Sequence, residues 1–91
     1  MVKKRDKLEV IYDILSIIRK NNNCIKPIPL LRISNLSSQR FNEYIKELEE
    51  GNFIKEITDK KERKSYTLTD KGFNYLEKYK IIQGFIEDFD L

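Results

Sequence analysis

The sequence predicts an α+β fold of three helices, a β-hairpin and a long C-terminal helix. Three observations carry that prediction. Apolar residues recur at three- and four-residue spacing through the first half of the chain. Two short runs rich in β-branched and aromatic residues follow, separated by a wholly polar stretch. Helical spacing then returns from Thr69 to the C-terminus. At 91 residues and 11.0 kDa, the chain is sized for one domain with one modest core and no deep enclosed pocket.

The first helix is expected from Lys4 to about Asn22. Leu8, Ile11, Leu15 and Ile18 repeat at helical spacing with Ile14 beside them, Asp6 is placed to cap the start, and Asn21-Asn22-Asn23 suits the end. Pro27 and Pro29 cannot sit inside a helix but fit a first turn, so Leu30, Leu31 and Ile33 mark a short helix from Ile28 to Asn35. Asn35-Leu36-Ser37-Ser38 reads as a turn and an N-cap. The third helix spans Ser38 to Glu50, with Phe41, Tyr44, Ile45 and Leu48 as its apolar stripe and Gly51 as its stop. Three helices with a tight turn before the third outline a helix-turn-helix.

Phe53–Ile57 and Ser65–Leu68 are the two expected strands. The connecting stretch from Thr58 to Lys64 has no Gly, Asn or Pro, so a long mobile tip is expected rather than a tight turn. Thr69 caps a final helix running to about Phe89. Phe73 and Leu76 can face the domain, while Tyr75, Tyr79, Ile82, Ile86 and Phe89 alternate spacings of four and three, the pattern of a heptad seam. Gly84 interrupts that run.

Composition narrows the chemistry. The chain has no histidine, no tryptophan and a single cysteine. Histidine-based triads, histidine–metal catalysis, zinc fingers and an internal disulfide are therefore excluded. Gly51, Gly72 and Gly84 are scattered, so no phosphate-cradling loop is present. The fifteen carboxylates show no metal-ligand spacing, and neither an enzymatic activity nor a cofactor is expected. Cys24 reads as a small, partly buried residue. No apolar run approaches a membrane span, and the basic N-terminus lacks the apolar block of a signal peptide, so a cytoplasmic protein is expected.

Charge is the first positive clue. Eighteen basic residues against fifteen acidic ones give +3 and a pI near 9.0. Glu87, Asp88 and Asp90 fall in the last six residues, which contain no basic group, so the remainder is more basic than the whole. Lys3, Lys4, Arg5 and Lys7 form one cluster, and Lys60, Lys61, Arg63 and Lys64 another. Such clusters attract phosphate backbones without reading sequence, or merely keep a surface solvated.

Ser38 through Ile54, SQRFNEYIKELEEGNFI, resembles the recognition helix and exit strand of winged-helix proteins: aromatic-x-x-aromatic-apolar-x-x-Leu, then Gly-x-apolar-Ile. Tyr66-Thr67-Leu68-Thr69-Asp70-Lys71-Gly72 resembles the Y-x-L-T-x-K-G signature where the second wing strand enters the last helix. Over residues 6–82 the chain is similar to small archaeal winged-helix DNA-binding proteins, including the Sulfolobus chromatin-type binders and uncharacterised regulators. The resemblance implies a winged helix-turn-helix whose last helix forms an antiparallel coiled-coil dimer. It divides a single domain into a DNA-binding part, 1–72, and a dimerisation helix, 73–91. The C-terminal helix is shorter here than in the coiled-coil members, and Gly84 lies within it.

Residue chemistry agrees with that expectation. Opposite the apolar stripe of the third helix lie Gln39, Glu43 and Lys46, flanked by Ser38, Arg40 and Asn42. Gln and Asn can pair with adenine, Arg with guanine, and Glu can accept from cytosine. Ser37 and the helix N-terminus suit a phosphate. Lys60, Lys61, Arg63 and Lys64 are backbone or minor-groove candidates, diluted by Asp59 and Glu62. Lys3, Lys4 and Arg5 are either a phosphate-touching arm or a frayed end, and Lys26 and Arg32 are further phosphate candidates. Tyr75, Tyr79, Ile82, Ile86 and Phe89 either fold onto their own domain or pair with a second chain. The expected function is thus a homodimeric, nucleoid-associated double-stranded DNA binder, a regulator or chromatin-type protein without a small-molecule ligand. The alternative is a winged-helix protein–protein interaction module, favoured by Glu43, Glu47 and Glu50.

Overall fold

The computed structural model describes residues 6–91; Lys3, Lys4 and Arg5 lie outside the described residues. The elements run α1 (Lys7–Lys20), α2 (Pro27–Ser34), α3 (Ser38–Glu50), β1 (Ile54–Thr58), β2 (Lys64–Leu68) and α4 (Asp70–Asp88). This is the expected order, and α3 has the expected ends.

Local chemistry sets the boundaries. Asp6 accepts from the Glu9 amide at 2.8 Å and starts α1. Asn22 and Asn23 take left-handed backbone conformations and end it. Pro27 opens α2, and Asn35, with φ 57°, closes it. Ser37 then accepts from the Arg40 amide at 3.3 Å, so three residues separate α2 from α3. The stop of α3 differs from expectation. Gly51 stays near helical geometry at φ −81°, and Asn52 takes the left-handed position at φ 63°. The Phe53 amide donates back to Leu48 O at 2.9 Å and the Asn52 amide to Glu49 O at 3.1 Å, the paired bonds of a Schellman cap.

β1 and β2 pair antiparallel in the register Ile54↔Leu68 to Thr58↔Lys64. The segment after α1 joins them. Ile25 bridges Tyr66 through amide–carbonyl bonds of 2.8 and 3.1 Å, and Asn23 Oδ1 accepts from the Leu68 amide at 2.7 Å. The outer edge of β2 is therefore covered at its base. Cys24 is exposed, not partly buried as expected, because the turn that points Ile25 into the core leaves its neighbour outside.

The core joins Ile14, Leu15 and Ile18 of α1 to Leu30 of α2, Phe41, Ile45 and Leu48 of α3, Ile54 and Leu68 of the hairpin and Leu76 of α4. Leu8, the first member of the expected α1 stripe, is 56% exposed: the core ends one turn short of it and takes Val10 instead. Beyond Ile54, β1 is exposed and the hairpin projects from the body. Only the first part of α4 is packed, with Gly72 and Leu76 buried, and the rest of this 19-residue helix extends outward.

Candidate nucleic-acid interface

α3 buries Phe41, Ile45 and Leu48 and so turns its other side outward. Ser38, Gln39, Arg40, Asn42, Glu43 and Lys46 are all exposed on it. Gln39 Nε2 donates to Glu43 Oε1 at 3.5 Å, a long bond that leaves both groups available. The Arg40 guanidinium lies 5.9 Å from the centre of the Tyr44 ring, which supports its stem against the helix. Lower on α3, Glu47 receives Lys7 Nζ of α1 at 2.5 Å, and Glu47 holds the Lys7 ammonium above the usual lysine range. The same pairing offsets a carboxylate that would repel phosphate. Glu49 is pushed up by burial and by Glu56, with Lys64 working in the opposite direction.

The hairpin tip is organised rather than loose. Asp59 Oδ1 accepts from the Lys61 amide at 2.8 Å and the Arg63 amide at 3.0 Å, while Oδ2 accepts from Arg63 Nε at 2.8 Å. These bonds hold the Asp59 carboxyl below the usual carboxylate range, the Arg63 backbone bond contributing most. Glu62 takes the left-handed position at φ 60° that lets the five-residue loop close. The expectation of a mobile tip overlooked this carboxylate, which supplies the turn chemistry usually left to Gly or Asn. Arg63 is thereby engaged, and Lys64 Nζ lies 3.7 Å from Glu56 Oε1 across the strands. Among the described residues, Lys60 and Lys61 are the tip cations with no ion pair. At the tip end of β2, Arg63 and Lys64 line a groove with Lys26, Pro27, Ile28 and Pro29 at the start of α2.

The five seam residues of α4 divide into two groups. Tyr75 donates its hydroxyl to the Leu8 carbonyl at 2.8 Å and meets the Phe53 ring edge-on at 5.8 Å. Tyr79 stacks on Tyr12 at 4.5 Å. These two tyrosines pack on their own domain, and burial pushes the Tyr75 phenol up to about 12. Ile82, Ile86 and Phe89 remain exposed, joined by Ile81, Phe85 and Leu91, which the heptad pattern had not included. Phe85 and Phe89 touch at 4.8 Å between ring centres.

A helix-turn-helix with an exposed third helix, followed by a projecting hairpin, defines one architecture. The family model for winged helix-turn-helix proteins matches residues 4–87. The chain belongs to the winged helix-turn-helix family. In that fold α3 holds the position of the recognition helix and β1–β2 that of the wing. No curated protein matches the sequence. Among solved structures, the winged helix is similar to that of Sso10a-2, a DNA-binding protein from Sulfolobus solfataricus. The likeness has a TM-score of 0.75 at 19% identity, covering 93% of this chain and 85% of that one. Among the described residues no group of acidic or cysteine side chains could hold a metal ion, and no helix is long and apolar enough to cross a membrane.

Proposed function

We propose that this winged helix binds double-stranded DNA as a homodimer in the cytoplasm, as a nucleoid-associated regulator or chromatin-type protein. The observation that carries the reading is the outward side of α3. A helix capped by Ser37 offers Ser38, Gln39, Arg40 and Asn42 in its first turn and a half, all exposed, above a stripe anchored in the core. In a helix-turn-helix these N-terminal positions meet base edges, with Glu43 and Lys46 one turn further along. Lys60 and Lys61 suit the phosphate backbone, joined by Arg63, Lys64 and Ser37, and by the N-terminal cluster Lys3, Lys4 and Arg5. The Sulfolobus neighbour, a DNA-binding protein, supports this assignment. Residues 1–72 serve as the DNA-binding part and 73–91 as the dimerisation helix. Within that helix the contiguous apolar surface from Ile81 to Leu91 is what a second copy would cover. A two-fold dimer presents two recognition helices to one duplex and selects pseudo-palindromic sites.

The test is titration of labelled duplexes at several salt concentrations. About six phosphate contacts give a log–log slope near −5. Arg40→Ala relaxes base preference, whereas Lys61→Ala weakens all sequences alike. Selection from random duplexes separates a regulator, which returns a motif, from an architectural binder, which returns none. Absence of binding at low salt refutes the reading. It would favour the second reading, a protein-interaction module, for which the exposed Glu43, Glu47 and Glu50 on α3 are the supporting observation.

A further inference from the structure

A groove of about 440 Å³ runs between α1, α2 and α4, and nothing in the DNA-binding reading uses it. Its lining includes Ser16, which is 9% exposed, and Ser16 Oγ is the one buried side-chain polar atom without a hydrogen-bond partner among the described residues. Most buried hydroxyls in folded proteins are paired, and an unpaired one is costly to keep. Around it stand two apolar walls. One is Tyr12, whose ring is fixed by stacking on Tyr79 of α4; the other is Ile33 of α2, which is half-exposed. Arg19, Lys20 and Lys80 supply three positive charges to the lining against the single carboxylate Asp13. None of the three cations has an ion pair among the described residues.

We propose that this groove is a binding site for a small organic acid. A flat apolar body would lie between Tyr12 and Ile33. An acceptor atom of the ligand would take the Ser16 hydroxyl, and its anionic group would be held by the Arg19, Lys20 and Lys80 charges. An inorganic anion satisfies the cations but leaves the apolar walls wet, and a neutral aromatic leaves the cations unmatched. The volume suits a ligand of one ring with two polar substituents, at the lower end of ordinary small-molecule sites.

The probe is 4-hydroxybenzoate, titrated into the full chain and followed by amide shifts in NMR spectra. Phenol and inorganic phosphate serve as the uncharged and the bodiless controls. Saturable shifts at Ser16, Ile17 and Ile33, absent with either control, are expected. Ser16→Ala leaves the helix intact and weakens binding by up to about tenfold, the loss of one hydrogen bond between neutral groups. Arg19→Ala weakens it similarly. Non-saturating shifts, the same shifts with phosphate, equal binding of phenol, or undiminished binding by Ser16→Ala each overturn the proposal. The measurement contains no DNA, so it and the DNA-binding reading can fail independently.

Discussion

Gly72 and Gly84 lie on the same helix, and alanine at the two positions should have opposite effects. An alanine Cβ at Gly72 would fall 2.4 Å from the Phe53 carbonyl oxygen, a backbone atom that cannot swing aside. That carbonyl also accepts from the Thr69 amide at 3.1 Å, the bond that joins the start of α4 to the exit from α3. Relief would require moving α4 away from the hairpin base, where Leu76 and Leu68 are buried. Overpacking of this kind costs about 1–3 kcal/mol, and the helix-propensity gain of alanine over glycine returns at most about 1 kcal/mol. With that gain fully realised, Gly72→Ala is still expected to lose up to about 2 kcal/mol. At Gly84 nothing lies within 4 Å of the added carbon, so only the propensity gain remains and the helix is stabilised by up to about 1 kcal/mol. Urea denaturation followed by far-UV circular dichroism measures both, at one protein concentration so that the mass-action contribution of any self-association is the same for each variant. In melting temperature each kcal/mol corresponds to about 4–8 °C for a domain of this size. A Gly72→Ala variant as stable as Gly84→Ala would refute the close approach on which the α4–hairpin junction depends.

Further expectations concern the tyrosines, the wing and the C-terminal face. Tyr75→Phe removes the bond to the Leu8 carbonyl and should cost about 1 kcal/mol in the same assay. Because burial raises the Tyr75 pKa to about 12, its contribution is complete below the ordinary tyrosine pKa near 10 and is lost as pH climbs from 10 towards 12; spectrophotometric titration should show late-ionising phenols, Tyr66 and Tyr79 also being raised, and Tyr75→Phe should remove the component near 12. Asp59→Ala opens the wing turn, so heteronuclear relaxation should show the 60–63 amides gaining fast motion while the melting temperature barely moves. Asp59 has a lowered pKa, so the ordering it provides holds above the ordinary aspartate range and fades as pH falls through the depressed value, which the same amides report. Phe85→Glu with Ile82→Glu should reduce the sedimentation mass from dimer to monomer with the fold unchanged; an 11.0 kDa species already present in the parent chain at micromolar concentration would dispose of the dimer.

Much of this architecture was legible because it rests on period and caps. α3 has its expected ends because Ser37 announces its start to the eye as well as to the Arg40 amide. The hairpin was legible from two β-branched runs, although β1 shifts by one residue and β2 begins one residue earlier. What was not legible depends on contacts distant in sequence. Ile25 pairs with Tyr66, and Asn23 with the Leu68 amide 45 residues away; neither leaves a periodic trace. The sequence points to Gly51 for the stop of α3, since a glycine is the usual choice there, and only the paired bonds to Leu48 and Glu49 reveal that Asn52 takes the left-handed turn. The site was legible as residue types but not as states. Sequence places Arg63 among the wing cations, yet only the folded loop engages it with Asp59.

The division of α4 follows from geometry that a heptad pattern cannot express. Spacings of four and three assign Tyr75, Tyr79, Ile82, Ile86 and Phe89 to one seam, as if one partner faced the whole helix. The winged-helix body extends along only part of that length, and α1 reaches α4 through Leu8 and Tyr12. Where α1 is alongside, the tyrosines turn their rings and hydroxyls onto it. Past that point Ile82, Ile86 and Phe89 of the same seam are exposed, and Ile81 and Phe85 widen it into a face. One amphipathic stripe thus serves two surfaces in succession. A second chain would gain little by covering Tyr75 and Tyr79, already packed, and most by covering Ile82, Phe85, Ile86 and Phe89. Substitutions at the tyrosines should therefore register in the stability of the fold, and substitutions at the last two turns in its association.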